Sequence, residues 1–463
     1  MDIQSIIFFI TFSAIAVSYG WGMRGTIIGG EKGAMLPGAF MGLLIALFSG
    51  SEVLSSSPWI LAGAGAIGMY CGGCMTYGET LHLSMHEPNS PTLKKGLVAL
   101  FVKGGIWFGI FGGFISMFIT AISGMYKLWQ IILFFCLLPL FAIVFYFILN
   151  HPHNPEENKF PKIYFSIKRK ESWGGLFGIL AEIILFAVIF KDWSCLAMTL
   201  GSFLFGAVGW VIAQMMQIRA KHPGKNGKRL FEVLQKKDAV ESWKLMECTL
   251  GAIGGIGCAV TFILAKPLFA EKLASIDANG FHSYIAESEI SFSLFIIYVI
   301  ILCIDCIQYY IPKKTVNYKK IMKTFESAEF ALYSVFPLFL CMLGVHKVAS
   351  LAAFPIVLHV LVQELMEKSN DNGKTTIVDK VLFMLPFIIT TISIITLKEA
   401  FGTISTLFVY SVVYEAAYFR MKAIEEDEIK FSNGEKAVHI YFAICCVLIM
   451  IMSIFIKIGE TVC

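Results

Sequence analysis

The sequence predicts an all-α polytopic membrane protein of about fourteen transmembrane helices (12–14), and three observations carry that prediction. Apolar residues fill 57% of the 463 positions and charged residues only 15%, against about 45–50% and about 25% in soluble globular domains. The apolar residues gather in windows of about 20, the length one helix needs to cross a bilayer. Between those windows the cations collect in short loops, as they do on the cytoplasmic side of membrane proteins. A β-barrel is excluded, because barrel strands are short and alternate apolar with polar residues. No soluble domain interrupts the pattern, so residues 1–463 read as one integral membrane domain.

The windows fall at 3–20, 33–51, 58–80, 96–122, 127–149, 172–190, 194–217, 243–267, 290–311, 327–345, 347–366, 379–397, 400–419 and 437–457. The first has Asp2 where a signal peptide would have a basic stretch, so it reads as a retained helix. Between the first and second lies Ser18 to Ala39, with Gly20, Gly22, Gly25, Gly29, Gly30, Gly33, Gly38 and Pro37, and with Arg24, Glu31 and Lys32 among them. A continuous membrane helix has no use for that density of glycine. Irregular backbone at membrane depth is tolerated only where protein buries it or water reaches it, and charges there are functional candidates by default. The element therefore predicts glycine-broken first helices and a substrate site in which Arg24 and the amides of Gly25, Gly29 and Gly30 hold a solute beside Glu31. The competing reading is a tight surface loop with Arg24 and Lys32 as interfacial anchors, and a further expectation is an ion pair between Arg24 and Glu31.

The third window runs into Glu79, His82 and His86, which as a helix fall at i, i+3 and i+7 on one face. Glu-x-x-His also occurs in di-iron bundles, but those need a second such motif on a facing helix. A proton-coupling role is assigned instead, with no metal and no cofactor; a solvated helix end is the alternative. Further charges interrupt later windows, and Lys103, Glu182 and Glu247 lie a turn or more inside theirs. Most of the 12 cysteines lie in apolar windows, so the CxxC pairs Cys71/Cys74 and Cys303/Cys306 read as small packing residues.

Orientation follows from three basic loops: Asn150 to Lys170, Arg219 to Lys237 and Lys313 to Lys323. Two spans separate each from the next, so all three share one side, the cytoplasm, and both termini lie opposite. Gly65 to His86 aligns without gaps to Gly201 to His222, and Gly109 to Gly113 answers Gly251 to Gly255. This suggests a parallel internal repeat with units 20–149 and 172–311, followed by a C-terminal bundle at 327–463. Nucleotide-binding, hydrolase and metalloprotease signatures are absent, and the short basic loops give no footing to nucleic acid. The expected function is secondary transport, ion- or proton-coupled, of a small polar or anionic solute across a bacterial cytoplasmic membrane, with the lipid bilayer and that solute as partners. The alternative is a membrane-embedded enzyme with a Glu/His site acting on a lipid-linked or amphipathic substrate.

Overall fold

The computed structural model describes residues 2–24, 30–75, 77–85, 91–167, 171–222, 232–233, 240–285, 289–306, 308, 311, 315–353 and 431–462. Among them every regular element is helical, and extended pairing is limited to one bridge between Asn154 and Lys159. Eight helices are long and apolar enough to cross a membrane, and three shorter apolar ones accompany them. The protein is an integral, multi-pass membrane protein. Of the spans read from sequence, those at 379–397 and 400–419, and most of 347–366, lie outside the described residues.

In chain order the helices are α1 (Ile3–Arg24), α2 (Gly30–Gly33), α3 (Met35–Phe48), α4 (Glu52–Ser56), α5 (Trp59–Gly73), α6 (Gly78–Ser84), α7 (Pro91–Ile122), α8 (Leu128–Asn150), α9 (Trp173–Ile189) and α10 (Trp193–Lys221). They continue as α11 (Ser242–Asn279), α12 (Glu289–Cys306), α13 (Tyr318–Phe330), a π-helical turn (Ala331–Val335), α14 (Phe336–Leu343), α15 (Lys347–Ala353) and α16 (Asn433–Val462).

The central helix is α7, in which every residue from Lys103 to Ile122 is buried. Its glycines let neighbours approach closely, as small residues do in membrane bundles: a methyl at Gly112 would stand 2.4 Å from the Met198 carbonyl oxygen of α10. A similar approach joins α3 to α5, where a methyl on Gly65 would lie 2.1 Å from the Gly38 carbonyl oxygen. By contrast α8, equally apolar, buries only Ile131, Phe134, Leu138 and Asn150. Its Trp129, Leu140, Phe147 and Ile148 are exposed, which in a membrane means contact with lipid. Both helices are long apolar runs, and the glycines and Lys103 of α7 are the sequence difference that accompanies its burial.

Successive turns alternate between two ends of the bundle. At one end Ser51 Oγ donates to Asp277, His282 N donates to the Ile122 carbonyl, and Tyr284 N donates to the Leu343 carbonyl. At the other end Ser172 Oγ donates to the Cys74 carbonyl and Lys244 Nζ to that of Gly22. The segments flanking all three basic loops belong to this second end.

Candidate functional site

The helical path breaks at the second end at Gly30, whose φ of +56° lies outside the right-handed helix, suits glycine and strains other residues. Arg24 is buried at 3% exposure. Its Nε donates to the Gly30 carbonyl at 2.8 Å, spanning the break, and its Nη2 donates to the Tyr77 hydroxyl. The guanidinium lies 5.0 Å from the ring centres of Trp21 and Tyr77 and 5.4 Å from that of Trp107, close enough for cation–π attraction. Trp210 closes the cluster, 6.1 Å from Trp107 and 6.3 Å from Trp21.

The carboxylate facing Arg24 is Glu247, not Glu31. Glu247 Oε1 stands 3.7 Å from Arg24 Nη1 and accepts from Trp243 Nε1 at 3.1 Å, while Oε2 accepts from Lys244 at 2.8 Å. The expected Arg24–Glu31 pair is not formed, because the aromatic rings hold the guanidinium on the α11 side. Arg24 thus pins the broken helix from inside the protein.

Tyr77 forms a wall between this cluster and a cavity of about 790 Å³. Three carboxylates line the cavity: Glu31 from α2, and Glu326 and Glu329 from α13. Tyr70, Tyr77, Tyr146 and Ser172 add hydroxyls, and Trp243 adds an indole face. Lys32 reaches Glu329 Oε1 at 2.8 Å and so ties α2 to α13. Gln308 Nε2 donates both to that oxygen at 3.1 Å and to Asp305 Oδ1 at 3.0 Å, and Tyr333 donates to Asp305 Oδ2 at 2.6 Å. Tyr333 belongs to the π-helical turn directly after α13, a distortion that recurs at functional sites. The head of α2, at the start of the second span, and the π-distorted helix α13–α14 therefore meet across one acidic cavity.

Of the residues singled out from sequence, Glu31 lines the cavity and Gly30 marks the break, whereas Arg24 lies behind Tyr77. Gly25, Gly29 and His86 lie outside the described residues, as does the side chain of Glu79. His82 is exposed on α6 and is not part of the cavity lining. Helix α6 is held by its Thr80, which accepts from Lys103 at 2.7 Å while Lys103 pairs with Glu171 at 2.9 Å. Cys71 and Cys74 are free thiols, with the glycines between them packed on Trp107 and Glu31. No group of three or more His, Cys, Asp or Glu side chains stands within metal-ligating reach among the described residues.

Sequence reasoning missed Tyr77, Trp243, Glu326 and Glu329. Each looks interfacial in isolation, and their convergence from α6, α11 and α13 is tertiary. The spacing of Glu326 and Glu329 by three, just before an apolar run, was the one local signal. It also missed the buried ion pair at the first end, where Lys272 donates to Asp192 Oδ1 at 2.6 Å, Thr120 at 2.6 Å and Ser194 at 2.5 Å. Burial pushes the Asp192 carboxyl up, but the Lys272 ammonium and the hydroxyls of Tyr126 and Ser194 outweigh it and hold it below the usual carboxylate range.

Not every buried polar group is paired. The indole Nε1 of Trp21 and of Trp210, both amide atoms of Gln214 and of Gln217, and both oxygens of Glu182 in mid-α9 have no hydrogen-bond partner among the described residues. Trp210, Gln214 and Gln217 fall on one face of α10 at i, i+4 and i+7. Comparison of the chain with protein-family models, curated proteins and solved structures finds no match in any of the three.

Proposed function

We propose that this protein is a secondary transporter of a small polar solute, built on about fourteen spans with the three basic loops in the cytoplasm of a bacterial cell. The observation that carries the reading is the acidic cavity itself, where the head of α2 faces the π-distorted helix α13–α14. Transporters place substrate sites where helix ends and distorted backbone face a polar space. The cavity then opens toward the cytoplasm. Its lining revises the expected charge of the solute. Carboxylates of Glu31, Glu326 and Glu329 beside Tyr70, Tyr77 and Trp243 suit an amine or another organic cation, whereas the guanidinium that an anion would need is enclosed behind Tyr77. Lys32, bound to Glu329, occupies the place an incoming ammonium would take, so solute and Lys32 compete for one carboxylate. A parallel repeat fits the same reading, since α5 with α7 and α10 with α11 each run to the basic-loop end and back.

The test is a thermal-shift screen of purified protein against putrescine, choline and arginine, with succinate, phosphate and glutamate as anionic counterparts, followed by uptake of radiolabelled hits into proteoliposomes. Stabilisation and uptake should favour the amines, and Glu329→Gln should lose both while unfolding near the wild-type temperature. Selective stabilisation by the anions, or chemical alteration of an added compound in place of uptake, would overturn the reading.

A further inference from the structure

The buried charges that interrupt the membrane helices have different fates. Lys103 meets Glu171, and Glu247 meets Arg24 and Lys244. Glu182, in the middle of α9, has no partner among the described residues: its side chain is buried at 2% exposure and neither oxygen is hydrogen-bonded. Its position is specific. Gly175, Leu176 and Ile179 of α9 line the acidic cavity, and Glu182 follows Gly175 by seven residues and Ile179 by three. All three lie on one helical face, with Glu182 one turn deeper than Ile179.

The elements packed around α9 offer no counter-charge at that depth. Helix α7 has no titratable residue between Gly104 and Ile122, and α8 has only Cys136 between Trp129 and Phe145. Helix α10 has only Cys195 between its first turn and Gln217, and that thiol lies beside Thr199. The charged pairs Lys103–Glu171 and Lys272–Asp192 stand toward opposite ends of the bundle and are already satisfied. An ionised carboxylate left alone in such a layer costs several kcal/mol. A carboxylic acid does not carry that cost, and it can release its proton only when an aqueous path opens to it.

We propose that Glu182 is the proton-carrying carboxylate of this transporter, loaded from the acidic cavity and sealed from it by Ile179. The proposal rests on the transport reading and adds that the coupling ion is H⁺. In the loading step a hydronium ion in the cavity gives its proton to a Glu182 oxygen and leaves as water, so charge entering the layer is cancelled on arrival. Release is the reverse, when the layer opens toward the other end.

Two measurements test it. Membranes containing the full chain are treated at neutral pH with dicyclohexylcarbodiimide, an apolar reagent that adds to protonated carboxyls, and the peptides are weighed by mass spectrometry. Glu182 should carry the adduct, exposed Glu326 should not, and Glu182→Gln should lose it. An unmodified Glu182 overturns the proposal without touching the transport reading, because no solute takes part. In proteoliposomes tested with putrescine, choline and arginine, Glu182→Gln should keep solute exchange and lose accumulation driven by a pH gradient. Accumulation intact in the variant, or exchange and accumulation lost together, overturns proton carriage by Glu182. Wild-type protein that moves none of the three amines counts against the transport reading, and the carbodiimide result then decides the state of Glu182.

Discussion

The Lys272–Asp192 pair and the buried side chains of Glu182, Gln214 and Gln217 are polar groups inside the same bundle, yet they follow opposite plans. All three ammonium protons of Lys272 have acceptors, and Asp192 collects bonds from Thr120, Tyr126, Ser194, Cys195 and Lys272. The other three side chains have no hydrogen-bond partner among the described residues. Fully paired networks rigidify and specify a fold, and unpaired buried groups cost stability that some other role must justify. The difference teaches where to look for function. The saturated cluster is a clamp joining α7, α10 and α11, while the unpaired groups belong to no such network among the described residues.

The comparison breaks most visibly if the clamp is opened. Asp192→Ala leaves the Lys272 charge buried and uncompensated, which should cost about 3–5 kcal/mol and show as a collapse in folded yield and in unfolding free energy in micelles. Removing both charges together, Asp192→Leu with Lys272→Met, should restore most of it. A mild single effect would mean that water reaches the pair.

Arg24 occupies the border between the two plans, and its loss should have an intermediate effect. Arg24→Ala removes the bonds to Gly30 and Tyr77 but leaves Glu247 its partner Lys244, so about 1–3 kcal/mol is expected. Arg24→Lys should not restore it, because an ammonium lacks the planar fork that spans both acceptors and stacks on the rings. A double-mutant cycle should show coupling of Arg24 to Glu247 and simple additivity with Glu31, read from unfolding curves. Coupling to Glu31 would mean that the break rearranges in solution.

The unpaired layer should respond with the opposite sign. Gln214→Met replaces a buried amide without partners among the described residues by an apolar side chain of similar length, so stability should hold or rise by about 1 kcal/mol. A clear loss of stability would mean that the amide is paired in the membrane and belongs with the clamp.

The smallest effect is that of acid. The folded Asp192 has a lower pKa than the unfolded residue, so its contribution is complete above the unfolded value of about 4 and is lost as pH falls through the lower folded value. Wild type and Asp192→Asn should therefore converge in thermal stability below about pH 4. A gap that stays constant at low pH would show that the aspartate stabilises through packing, not charge.

Much of the architecture was legible along the chain. Among the described residues the apolar windows gave helices at the expected places, the glycine-rich stretch contains a departure from helix at Gly30 although Ser18 to Arg24 are regular helix, and the inner positions of Lys103, Glu182 and Glu247 flagged three buried charges. Their partners were not legible. Arg24 and Glu31 are near in sequence and look like a pair, but three aromatic rings from α1, α7 and the segment before α6 turn the guanidinium toward α11 instead. Glu329 looks like the end of a lysine-rich surface helix until α2 brings Lys32 against it.

The sequence by itself determined that this protein spans a membrane as helices, where between its first two spans a glycine lets the chain leave the helix, and which charges are buried in the bundle. These follow from local chemistry: transfer of apolar side chains from water, and the backbone freedom of glycine. Only the tertiary structure decided which helix is central and which meets lipid, because α7 and α8 are both long apolar runs and the partners that close on the glycines and Lys103 of α7 come from other segments. It alone decided which buried charges are neutralised. A carboxylate's state depends on groups within a few ångströms, and in a helical bundle those groups come from segments up to hundreds of residues apart. By that criterion Glu247, paired with Arg24 and Lys244, belongs to the scaffold, and Glu182, equally buried, has no such partner among the described residues.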